Sequence, residues 1–98
     1  MGPMNRAGVE RRLTKVSSRL RRLREELAQL DEERQVVAAD AEEARVRALV
    51  AETPLTDRQA ADARRHIDTL ERRHTELAGE LQRLERTQDD LLDQLGAG

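Results

Sequence analysis

The chain has no phenylalanine, tyrosine or tryptophan, no cysteine, and only two prolines. Aromatic side chains supply much of the buried area in compact cores, so a thick globular core is not expected. The absence of cysteine excludes disulfides and thiolate metal sites. No apolar run reaches the length of a signal-peptide core or a membrane span, and a cytoplasmic location is the default expectation. Charge of one sign is also lacking: 18 Lys and Arg stand against 20 Asp and Glu, for a net charge of -2. That balance argues against a generic nucleic-acid binder.

What remains is charged (39% of residues) and rich in Leu, Ala and Val. High charge with low hydrophobicity is compatible with disorder, but the near-cancelling charges and the regular apolar spacing favour a coiled coil. From Val9 a strict 4-3 pattern runs through Leu13, Val16, Leu20, Leu23, Leu27, Leu30, Arg34, Val37, Ala41, Ala44, Ala48 and Ala51. A second runs through Ala60, Ala63, Ile67, Leu70, His74, Leu77, Leu81, Leu84, Gln88, Leu91 and Leu95. Each lasts more than four heptads, long enough for a coiled coil rather than a surface helix.

Between them Pro54 cannot continue the first helix and pushes Thr53 toward an extended conformation. Thr56-Asp57-Arg58-Gln59 reads as a capping box, and Gly96 as the stop of the second helix. The spacing therefore predicts helix 1 over residues 8–52, a loop at 53–55 and helix 2 over 56–95. Residues 1–7 are read as a disordered N-terminus or expression remnant, with Met4 as a candidate start. The expected fold is all-α: a two-helix antiparallel coiled-coil hairpin able to dimerise into a four-helix bundle. Continuing both heptads around that loop puts Ala51 level with Ala60, Ala48 with Ala63, Ala41 with Leu70, Val37 with His74 and Leu20 with Leu91. The flanking charges give mixed support. Arg24 faces Glu85 and Asp40 faces Arg73, but Arg45 faces Arg64 and Glu33 faces Glu80.

Three features carry functional expectations. Arg34, His74 and Gln88 occupy core positions where apolar residues belong. They read as register-setting polar groups, with a histidine pH switch as the sharper alternative. Arg34 is expected to reach outward between Glu33 and Glu80. Val36, Ala39, Val46 and Val50 fall at c and f positions on the back of helix 1, with Leu49 beside them and Glu43 interrupting. A two-helix hairpin is marginal alone, so this strip is a candidate interface for a second copy or another helical protein. Arg45, Arg47, Arg58, Arg64 and Arg65 surround the tip as a possible anion contact. Without an aromatic to stack a base, nucleic acid is disfavoured there and a solvated face is favoured. A basic stripe of Arg11, Arg12, Lys15, Arg19 and Arg22 is expected to be answered by Glu85, Asp89, Asp90 and Asp93 within the hairpin.

No residues suggest catalysis, a metal or a cofactor. His66 and His74 are two turns apart, and no glycine-rich phosphate loop or HExxH is present. The function expected is a non-catalytic protein-interaction module (adapter, scaffold or regulator), self-associating and without a membrane partner. Two alternatives are a transcription regulator acting on RNA polymerase or a sigma factor, and nucleic-acid or nucleotide binding through the tip arginines. The hairpin is similar in shape to the Gre and DksA type factors, which insert an acidic-tipped helical hairpin into the polymerase secondary channel. Here Glu52 and Asp57 flank the tip, while that family's globular domain and zinc cysteines are missing. It is similar in shape also to the c-di-GMP-binding anti-sigma hairpins, whose motif is E-x3-S-x2-R-x3-Q-x3-D. Of that motif Ser18 and Arg21 are kept, with Thr14, Glu25 and Gln29 at the other positions. Neither likeness extends beyond shape.

Overall fold

The computed structural model describes residues 5–97, and within them the chain is an all-α antiparallel hairpin of two long helices. Helix α1 spans Arg6–Ala51 and α2 spans Pro54–Ala97. Residues 1–4 of the expected N-terminal tail lie outside the described residues, but the helix begins inside that tail. Asn5 caps it: its Oδ1 accepts from the Gly8 amide at 2.7 Å and its carbonyl from the Val9 amide at 3.0 Å. A side-chain acceptor at this position satisfies a donor that the first turn leaves without a partner.

The link between the helices is Glu52-Thr53, not residues 53–55. Glu52 closes α1 with its amide on the Ala48 carbonyl (3.0 Å) and adopts φ 53°, the left-handed turn that ends many helices. Thr53 then caps α2. Its hydroxyl accepts from the Thr56 amide at 3.1 Å, and the Thr56 hydroxyl accepts from the Thr53 amide at 3.2 Å. The reciprocal capping box is present, but one turn earlier than the sequence suggested. Pro54 is the reason. At the first helical position its missing N–H is no loss and its fixed φ already suits the helix. Gly96 is helical and does not stop α2, which runs on to Ala97.

Moving the cap moves the register. In the unit formed by Leu27–Glu76, Arg34 meets Glu71, and Asp31 meets His74. Val37 was expected level with His74, so the helices sit about one heptad from that register, roughly 10 Å along the axis. A groove in the same unit agrees: Ala38 and Ala41 line it together with Ala60, Ala61 and Ile67, not with Leu70. In the unit formed by Met1–Glu26 and Leu77–Gly98, Gln88 donates to the Ser17 hydroxyl at 3.2 Å.

The buried faces are the ones the heptads name. Val9, Val16, Leu20 and Leu91 form a cluster with Leu13, Leu81, Leu84 and Leu95 packed against it. Leu30, Val37, Ala44 and Leu70 are buried in the Leu27–Glu76 unit. Among the described residues the fully buried large side chains are Leu20, Leu23 and Leu91, all in the unit formed by Met1–Glu26 and Leu77–Gly98. Near the link, alanines replace leucines and there is correspondingly less apolar area to bury.

Candidate functional site

Three groups of side chains compete for a role, and the helix geometry treats them differently. Arg34 occupies an a position of α1 but does not reach toward Glu33 and Glu80. Its Nη2 donates to Glu71 Oε2 on α2 at 2.8 Å, and its Nη1 to Asp31 Oδ1 at 2.8 Å. The hydrogen bond to Glu71, then that to Asp31, raises the guanidinium pKa, outweighing the opposing effect of burial. His74 Nε2 lies 3.2 Å from the same Asp31 oxygen. Together these four side chains close one level of the seam with charge-assisted bonds. Glu80 is engaged elsewhere, by Arg19 at 2.9 Å.

The tip arginines are largely matched by carboxylates on their own helices. Arg45 holds Glu42 through two bonds of 2.6 and 3.0 Å, and this pairing lowers the Glu42 pKa. Arg47 is 3.9 Å from Glu43 and Arg64 is 3.9 Å from Asp68. Arg65 pairs with Asp62. Arg58 alone of the five makes no ion pair among the described residues. Arg45 and Arg64 rim the alanine-floored groove of about 480 Å³, yet Glu42 on the same rim offsets them. In the basic stripe, only Arg19 finds acidic partners; Arg11, Arg12, Lys15 and Arg22 form no ion pair among the described residues.

The strip on the back of α1 remains without a covering group. Val36 is 62% exposed, Leu49 63% and Val50 81%, with Val46 and Ala39 exposed beside them. They stand on the face opposite the seam, where neither α2 nor the link can cover them. Single exposed apolar residues are ordinary, but Val36, Ala39, Val46 and Val50 occupy four of the five 3-4 positions of a second coiled-coil seam, with Glu43 at the middle one. Asp40 and Arg47 flank it. Leu55, which the sequence suggests as a small hydrophobic staple against Ala60, is exposed in the first turn of α2, and Leu92 is exposed as well. With Thr53 as the cap, Leu55 falls on a c position of α2; that was the signal that could have foretold its exposure.

Among the described residues no group of His, Asp and Glu is placed to hold a metal ion, and no helix is long and apolar enough to cross a membrane. No family model, no curated protein and no solved structure matches the chain.

Proposed function

We propose that the chain is a non-catalytic coiled-coil interaction module that associates with itself through the back of α1. The observation that carries this reading is the exposed 3-4 strip of Val36, Ala39, Val46 and Val50, with Leu49 at its edge. A face repeating at the period of a helix–helix seam is best served by another helix. The thin seam near the link adds to the case, because association there buries apolar area that the hairpin alone leaves exposed.

Magnitudes set the expected affinity. Burying a valine or leucine side chain completely stabilises by about 1.5–3 kcal/mol; two copies bring eight such side chains together, each buried only in part by a single facing helix. Association costs about 4–15 kcal/mol in lost freedom. The two are comparable, so the dimer is a reversible one that dissociates on dilution. Light scattering after size exclusion, across a concentration series, tests this. The expected result is a mass rising from that of the 11.2 kDa chain toward twice that value. A monomer at every concentration would remove self-association from the proposal.

A further inference from the structure

Resting on that reading, we infer that the second copy lies antiparallel along α1, with Asp40 of each copy against Arg47 of the other. The strip runs from Val36 to Val50 and is interrupted at its middle by Glu43. A two-fold axis crossing between positions 43 and 44 exchanges its ends, so that the Val36 end of one copy covers the Val50 end of the other. The same axis carries position 40 onto position 47. Both flank the strip on one side, at the rim where interhelical ion pairs form.

The ion pairs already made decide between orientations. Asp40 makes no ion pair among the described residues, although the sequence had it facing Arg73. In an antiparallel dimer it gains a cation, twice over, by symmetry. A parallel dimer offers Glu42 to Arg47 instead, but Glu42 is already held in a two-bond pair by Arg45. Parallel pairing would also leave Asp40 unanswered. Near the axis the two Glu43 carboxylates approach each other. Arg47, 3.9 Å from Glu43 on its own helix, screens that repulsion while meeting Asp40 of the second copy. Rim charges of this kind choose orientation and register more than they add affinity.

Charge reversal tests the arrangement, because both side chains are exposed and neither makes an ion pair to α2 among the described residues. The probes are Asp40→Arg, Arg47→Asp and the double variant, each followed by sedimentation equilibrium with helicity read by circular dichroism. Each single reversal puts like charges together at two symmetric places and is expected to weaken dimerisation roughly tenfold. The double variant restores opposite charges and returns within about threefold of the parent. Weakening without recovery in the double variant overturns the antiparallel pairing, and weakening by Arg47→Asp but not by Asp40→Arg favours a parallel one. No effect from any reversal, while Val46→Glu with Val50→Glu dissociates the dimer, overturns the inference but keeps self-association. A parent chain that is monomeric throughout overturns the underlying reading instead. As a second measurement, chains carrying Val36→Cys are mixed with chains carrying Val50→Cys and oxidised. Mixed disulfides support the antiparallel arrangement; disulfides between like chains reject it.

Discussion

Asp31 on α1 accepts from Arg34 on its own helix at 2.8 Å and lies 3.2 Å from His74 Nε2 on α2, so one carboxylate ties both helices at one level. Arg34 completes the tie through Glu71. Leucine at position 34 would pack the seam better, but it would not distinguish one heptad from the next. Polar groups at such positions fix level at some cost in stability. Arg34→Leu is therefore expected to raise the melting temperature of the hairpin, read by circular dichroism. A fall would mean that the Arg34 bonds outweigh the packing that leucine restores.

The register can be trapped covalently, since the chain has no cysteine of its own. Ala41→Cys with Ala63→Cys is expected to oxidise to an intramolecular disulfide, because the register set by the Arg34–Glu71 and Asp31–His74 pairs brings these positions to one level. Ala48→Cys with Ala63→Cys, level only in the register read from the sequence, is expected to remain reduced. A bridge forms only where the Cβ atoms approach to about 4 Å. Mass spectrometry after mild oxidation distinguishes the two.

Glu52 holds φ at 53° without being glycine. A side chain in the left-handed region is strained by its own Cβ, which glycine lacks. Glu52→Gly is expected to stabilise the hairpin by about 0.5–1 kcal/mol, after allowing for the extra freedom glycine brings to the unfolded chain. Chemical denaturation checks this, and a destabilised variant would argue that the Glu52 carboxylate contributes something the geometry does not reveal.

Core and strip respond oppositely to substitution. Leu20 is fully buried, and Leu20→Ala is expected to cost about 2–5 kcal/mol in urea unfolding. Val46→Glu with Val50→Glu leaves helicity and the melting of the dilute chain nearly unchanged, yet abolishes any dimer seen by light scattering. Loss of helicity in the glutamate variant would place those valines in the hairpin's own packing.

Acid weakens the Glu42–Arg45 pair. The hydrogen bond from Arg45 lowers the Glu42 pKa below its ordinary value of 4.5. The folded state thus holds its proton less tightly than the unfolded chain does. The small stabilisation from this exposed pair is present above about pH 4.5 and is lost as the pH falls through the lowered folded value. A carboxyl titration followed by NMR should show Glu42 titrating below ordinary glutamates. Arg45→Ala should return it to the ordinary range; an unchanged titration would mean the pair does not persist in solution.

The helices and their buried faces were legible because a 3-4 repeat names the same face wherever the partner sits. The register was not legible, for the same reason: sliding by seven residues matches a to d as well as before. What decided it was Pro54, which read as a break and serves as the first residue of α2. The strip at Val36, Val46 and Val50 was readable from its place opposite the seam. Asp31 and Glu71 were not, since they enter the polar level only once the helices are set beside one another. The matching of Arg45, Arg47, Arg64 and Arg65 by nearby carboxylates lay in the i,i+3 and i,i+4 spacings, where the arginines had been read as a cluster.

The two-residue link has a kinetic consequence. Closing so short a connection is entropically the easiest step available to the chain, and contacts beside it form fastest. Yet the segments it brings together first are alanine-rich and weakly held. The Ser17–Gln88 contact joins residues 71 apart in sequence, in the unit that contains the fully buried leucines. Zippering from the link is therefore expected to run from the alanine-rich segment toward the leucine-rich one. A late barrier is the expected outcome, and a chevron whose folding arm carries most of the equilibrium m-value checks it.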